Sequence, residues 1–208
     1  SSSELRAKDS NLKLGLIGNS TLVAKYFRES KFVNGAEVIA VSSSSTSAQI
    51  KADNSLLLTN SYTDLLSSID AVYIASHPTK HYNHVKQALL AGKHVLCESP
   101  IALSEAECNE LYQLANSKNL ILMDAIKTAY STAYNRLLLL LNSGKIGQVL
   151  SVESTCTSLK NIKIDTTKKA THYWNSICAW GPTAMLPIFH ILGTHWIDIN
   201  ITSLMLDK

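Results

Sequence analysis

From residue 11 to residue 126, short apolar runs alternate with segments of helical period, and this alternation limits the fold more than any other property of the chain. LKLGLIG (12–18), AEVIAVS (36–42), DAVYIAS (70–76), HVLCES (94–99) and LILMDAI (120–126) read as buried strands, with a weaker strand near SLLLTNS (55–61). Between them, STLVAKYFRES (20–30), YTDLLSS (62–68), KHYNHVKQALLAG (80–92) and SEAECNELYQLANSKN (104–119) have helical spacing. Gly92 stands where a glycine closes a helix, and Ser104 with Glu107 has the spacing of a capping box. Strands joined through helices in one sheet require right-handed crossovers and a parallel sheet covered on both faces, which is the doubly wound α/β architecture. Such sheets bind ligands at the carboxyl ends of their strands, so the strand-to-helix turns are where chemistry belongs.

The pattern changes after Ala125. STAYNRLLLLLNSGKIG (131–147) reads as a helix closed by Gly144 and Gly147, QVLSVESTCTS (148–158) alternates like an antiparallel strand, and 159–176 is loop-like. GPTAMLPIFHILG (181–193) reads as a helix despite Pro187, and WIDINITSLML (196–206) as a strand. The 208 residues therefore divide into a polar lead-in over 1–10, a doubly wound domain over 11–126 and an incomplete α/β domain with a mostly antiparallel sheet over 127–208. Val149, Val152, Ile197, Ile199 and Ile201 alternate so as to form an apolar face that two or three strands cannot cover, which calls for a homodimer or a missing C-terminal segment.

Composition excludes several functions. The net charge of +3 is spread over scattered lysines, and the one local basic cluster, Lys160, Lys163, Lys168 and Lys169, lies in the loop-like stretch, so nucleic acid is not an expected partner. The leucine run 137–141, bounded by Arg136 and Asn142, is far short of the roughly 20 apolar residues that span a membrane. Cys97, Cys108, Cys156 and Cys178 form no CxxC pair and follow no signal-peptide pattern, which fits free thiols in a reducing cytoplasm.

Three turns carry candidate chemistry. In GLIGNSTLV, Gly18 takes the place of the first glycine of a dinucleotide fingerprint, while Ser20 and Val23 stand at the second and third. A Cβ at those two places pushes the phosphates or the helix outward, yet the amide groups and helix dipole at Asn19, Ser20, Thr21 and Leu22 remain open to an anion. The same turn also reads as a plain strand-to-helix connection. At the end of the second strand, Ser42 to Ser45 replace the Asp or Glu that would hold an NAD ribose; their hydroxyls lean toward a 2′-phosphate and NADP, or form a polar loop. IASHPTKHYNH holds His77, His81 and His84, but Pro78 breaks any helix face shared by His77 with the others and no carboxylate or cysteine completes a set, so no metal is expected.

The run DAVYIASHPTKHYNHVKQALLAGKHVLCESPIALSEAECNELYQLA (70–115) resembles the central signature of the glucose-fructose oxidoreductase, inositol dehydrogenase and MocA (Gfo/Idh/MocA) family, with its strand, Pro-containing turn with a histidine, and AL-AGKHVLCEKP segment. DAIKTAY (124–130) is similar to the dihydrodiol-dehydrogenase-like branch, whose glutamate and arginine fall on Asp124 and Ala129. The resemblance implies an N-terminal Rossmann domain, a C-terminal α/β domain that forms the substrate pocket, and NAD- or NADP-dependent oxidation or reduction of a sugar, polyol or diol. It places cofactor contacts at Gly18, Asn19, Ser20, Thr21, Leu22, Ser42, Ser43, Ser76, His77, Pro78, His81 and Glu98.

It also puts Ser99 where the family has its working lysine, and, counting back from Leu192 and Gly193, Ala179 and Thr183 at the aspartate and acid/base of the second catalytic motif. Glu98 would orient such a site and Lys127 would supply the missing cation. Ser20, Val23, Ser99, Ala179 and Thr183 depart from the family at the chemistry while strands and helices look intact. Two readings follow: an oxidoreductase with substituted catalytic residues, or a catalytically inactive nucleotide-binding or scaffold domain that engages a protein partner.

Overall fold

The computed structural model describes residues 11–43, 47–157 and 176–202. Six parallel strands, β1 (Leu12–Gly18), β2 (Ala36–Ser43), β3 (Leu57–Leu58), β4 (Ala71–Ala75), β5 (His94–Cys97) and β6 (Leu122–Asp124), form one sheet in the order β3-β2-β1-β4-β5-β6. The helices α1 (Ser20–Ser30), α2 (Ala48–Lys51), α3 (Tyr62–Ser68), α4 (His81–Leu90) and α5 (Glu105–Ser117) make the crossovers. The doubly wound parallel sheet read from the sequence is therefore present, and its order reverses between β1 and β4, the place where such folds open a ligand crevice.

Alternating side chains along the central strands feed two cores. Ile17, Val72 and Ile74 pack with Leu65, Val85, Leu89 and Leu111, which come from α3, α4 and α5. Leu16, Val41 and Tyr73 pack with Val23 and Phe27 of α1 and Ile50 of α2. Every residue of β4 is buried, as a central strand covered on both faces must be. Each large side chain placed in these cores contributes about 1.5–3 kcal/mol.

Local chemistry sets the ends. Ser61 and Ser104 accept from the amides of Asp64 and Glu107 and so start α3 and α5, and Gly92 (φ +75°) follows α4. The weaker strand expected over 55–61 is only Leu57–Leu58, an edge pairing of two residues whose side chains are exposed. The helix read over 80–92 begins at His81, after a single 3₁₀ turn, Pro78–Lys80.

Beyond β6 come a 3₁₀ turn (Lys127–Tyr130), α6 (Thr132–Asn142) and α7 (Ser176–Leu192), which starts five residues before the expected 181–193 helix. The antiparallel sheet expected from 148–158 and 196–206 is not present among the described residues: 148–157 and 196–202 carry no strand, and 158 and 203–206 lie outside the description. A strand exists through its ladder, and among the described residues neither segment has a backbone hydrogen bond to a neighbour; Leu150 and Ile197 are 89% and 105% exposed. Among the described residues the apolar face expected from these two strands is thus not assembled. The loop-like stretch read at 159–176 is outside the description apart from Ser176, which opens α7.

The described residues fall into two compact units, the first reaching Ala125 and taking in the start of α7 as far as Ala179, the second starting at Ile126 and including Trp180 onward. Among the described residues, every buried hydrophobic lies between Leu16 and Ala125. No described helix is long and apolar enough to cross a membrane.

Candidate functional site

The β1–α1 turn is dictated by Gly18. Its φ of +125° is open to few L residues, and a Cβ there would stand 2.2 Å from the backbone of both Ala75 and Ser76. That close approach lets the Asn19 amide donate to the Ala75 carbonyl at 2.8 Å, which ties β1 to β4 at the switch point. Asn19 then caps α1, its Oδ1 accepting from the Thr21 amide at 2.9 Å and the Leu22 amide at 3.4 Å. Three of the four amides at 19–22, expected to stand free for an anion, are thus bonded within the chain. A phosphate seated there replaces the cap of Asn19.

At the end of β2, Ser43 donates from Oγ to the Gly18 carbonyl at 3.2 Å, so this hydroxyl braces the first turn. The third turn is pinned by His81, a fully buried imidazole with Nδ1 2.7 Å from the Pro100 carbonyl and Nε2 2.7 Å from the Ser76 carbonyl. Both ring nitrogens are spent on backbone, so His81 holds the turn after β4 against the loop after β5. One helical turn on, His84 Nδ1 lies 2.8 Å from Ser76 Oγ, while Tyr62 donates to the His84 carbonyl at 2.8 Å. Burial, and then the His81 and Lys80 charges, hold the His84 imidazole below its ordinary 6.5.

The end of β5 carries the two residues on which catalysis was expected to turn. Glu98 accepts from the Tyr73 hydroxyl at 2.5 Å, and Tyr73 stacks on Tyr26 with ring centroids 3.7 Å apart. Burial, and then the Glu98 carboxylate, push the Tyr73 phenol far above its usual range, so it stays a donor to Glu98. Ser99 donates from Oγ to the Asp124 carboxylate at the end of β6. Burial, with Asp124 and Glu98 adding, likewise raises the Cys97 thiol beneath them.

These turns surround a cavity of about 720 Å³ at the carboxyl ends of β1, β2, β4 and β5. Of the residues expected from the sequence, Gly18, Asn19 and Leu22 line it from the first turn and Ser42 and Ser43 from the second. Ser76, His77, Pro78 and His81 line it from the third, and Glu98 and Ser99 from the end of β5. Thr21 is not among the lining residues and enters through its amide bond to Asn19; the side chain of Ser20, and Ser44 and Ser45, lie outside the description. Ala179 also lines it and brings no carboxylate. Lys127 and Thr183 belong to the second unit, Lys127 opening the 3₁₀ turn and Thr183 lying within α7.

Asn60, Tyr62, Lys80 and His84 line the cavity too; of these, the sequence points to His84 only as a rejected metal ligand and to Lys80 only as part of the Ser76–His81 turn. Lys80 had a signal, since it shares the PTKH turn with two expected residues. Asn60 and Tyr62 had none, because the loop before α3 and its first residue are brought to the cavity only by the fold, Tyr62 bonding and packing on His84 of α4. Among the described residues no group of three or more His, Cys, Asp or Glu side chains is arranged to hold a metal ion.

The residues present fit a dinucleotide. The cavity has the size of small-molecule sites, its wall includes the N-terminus of α1, and hydroxyls rather than a carboxylate stand at the end of β2. Residues 12–125 match the profile of the GFO_IDH_MocA oxidoreductase family, described as an NAD-binding Rossmann fold. The chain is 33% identical over 122 residues to D-xylose 1-dehydrogenase (NADP(+)) of Hypocrea jecorina, covering 54% of this chain and 31% of that protein. It is 29% identical over 148 residues to inositol 2-dehydrogenase of Pseudomonas savastanoi pv. phaseolicola, covering 67% of this chain and 44% of the relative. The chain therefore spans less than half the length of these curated relatives. The solved scyllo-inositol dehydrogenase of Lactobacillus casei, with bound NAD(H) and scyllo-inositol, superposes with a TM-score of 0.58 at 26% identity, over 67% of this chain and 43% of that one.

Proposed function

The chain belongs to the Gfo/Idh/MocA family of oxidoreductases, with its NAD-binding Rossmann fold, and from that premise we propose that its cavity takes NAD or NADP for the oxidation or reduction of a sugar, polyol or diol. The observation that carries this reading is the placement of the cavity at the β1/β4 switch point, lined by the turns that follow four neighbouring strands. The α1 amides, released by Asn19, hold the pyrophosphate; Ser42 and Ser43 meet the adenosine ribose or its 2′-phosphate; the turn from Ser76 to His81 and the Glu98 carboxylate border the nicotinamide end. Bound there, the nicotinamide supplies hydride acceptance or donation. Tyr73 keeps the Glu98 carboxylate aimed from below, and His81 keeps the wall of the turn in place. Four free cysteines fit a reducing cytoplasm.

A second reading is favoured by one observation: the Ser99 hydroxyl, at the family's lysine position, is turned to Asp124. A hydroxyl so engaged offers no positive charge to a developing alkoxide, which is the stabilisation an ammonium gives. On that reading the chain binds the nucleotide without turnover and serves as a scaffold for a partner. Titration with NADH and with NADPH, followed by energy transfer from tryptophan to the nicotinamide and by thermal shift, tests the shared premise; no response to either at millimolar concentration sinks it. Turnover of xylose or an inositol by the unmodified chain then decides for the enzyme.

A further inference from the structure

Six titratable side chains line the cavity: one carboxylate, Glu98, one phenol, Tyr62, three imidazoles, and one ammonium, Lys80. We propose that Lys80 is the anion-contacting group of this cavity, bringing in from the turn after β4 the positive charge that position 99 lacks. The inference rests on the cavity being the ligand site of the reading above.

The backbone of Lys80 is fixed, because its amide donates to the His77 carbonyl at 2.8 Å and closes the 3₁₀ turn Pro78–Lys80. Its side chain is not spent. The three ion pairs among the described residues use Lys25, Lys31 and Lys86, and no hydrogen bond is made by the Lys80 ammonium among those residues. The charge nevertheless reaches the cavity wall, since Lys80 contributes to the depressed His84 imidazole. None of these ion pairs joins Lys80 to Glu98, which accepts from the Tyr73 hydroxyl.

The chemistry this recognises is an oxyanion: a phosphate oxygen of the dinucleotide, or a carboxylate on the substrate, as in a sugar acid. A compact ammonium on a long, flexible stem serves either as a point charge. Lys127, to which the sequence assigned the missing cation, sits in the other unit. Lys80 is part of the lining.

The test compares the unmodified chain with Lys80→Met and with Lys25→Met, a lysine paired on α1 to Glu29, as a charge control. Each is titrated with NADH, with inorganic pyrophosphate, and with gluconate added after NADH, while the His84 imidazole is followed by NMR. The expected result is a loss of about tenfold in affinity in Lys80→Met alone, the size of one charge-assisted hydrogen bond, with His84 titrating at higher pH. Loss for NADH and pyrophosphate assigns Lys80 to the cofactor phosphate; loss for gluconate alone assigns it to the substrate. Unchanged affinities in Lys80→Met, with NADH bound normally by the unmodified chain, overturn the inference and leave the cofactor reading standing. Failure of the unmodified chain to bind any of the three overturns both.

Discussion

Gly18 and Ser99 are the two residues on which the site depends in opposite ways. Gly18 keeps the backbone approach that a nucleotide turn needs, and replacing it by alanine drives a Cβ into the Ala75–Ser76 peptide at a φ of +125°. The expected outcome is a loss of about 1–3 kcal/mol from backbone strain and a similar further amount from overpacking, read as a lowered urea midpoint; a variant of unchanged midpoint would show that the β1–β4 contact is looser than described. Ser99, expected at the place of the family's lysine, donates a hydrogen bond to Asp124 and brings no positive charge. The identity of Ser99 is plain in the ESP segment. Its engagement with Asp124 is not, because Asp124 is twenty-five positions away and is brought near only by the pairing of β5 with β6.

At the scale of elements, the turn between β4 and α4 organises the cavity. His81 sets its two ring nitrogens against carbonyls on two different turns, so His81→Ala leaves a part-buried carbonyl without its donor and removes the imidazole that spans the turns, a loss of about 1–3 kcal/mol. His81→Ala should therefore melt earlier than His77→Ala, whose side chain is exposed; equal melting temperatures would contradict the bracing role. His84 links this turn to pH. With its folded value held below the ordinary 6.5, the unfolded chain takes up a proton first as the medium is acidified. Stability should fall below about pH 6.5 and level off beneath the folded value, and His84→Gln should flatten that slope in thermal melts. An unaltered slope would place the pH dependence elsewhere.

The same scale explains what a reader of the sequence can and cannot see. β1, β2, β4 and β5 are apolar runs bounded by turns, and the full burial of β4 is written in DAVYIAS. α2 is four residues long and starts from the side chain of Ser47, too short for a period to declare itself. The self-capping of α1 by Asn19 was missed because the fingerprint was read for glycines, although Asn before a helix is itself a cap signal. The segments 148–158 and 196–206 alternate as strands do, but alternation supplies only one side of a ladder.

For the whole molecule, the fold and the site divide along the chain. The buried core and the cavity both belong to the unit that reaches Ala125, while α6 holds no buried residue and α7 crosses from one unit into the next. Of the positions expected to depart from the family, Ser99 and Ala179 line the cavity, Val23 is buried in the core beneath α1 and Thr183 lies in α7, while six parallel strands frame the cavity. The central claim is that this frame still holds a nicotinamide dinucleotide. Isothermal titration calorimetry of the unmodified chain with NADPH and NADH tests it most directly: the account predicts saturable one-to-one binding of at least one of them, weakened when Gly18 is replaced by valine in a chain that still melts cooperatively. Heats indistinguishable from dilution for both dinucleotides at millimolar concentration, from a chain shown to be folded, would contradict it.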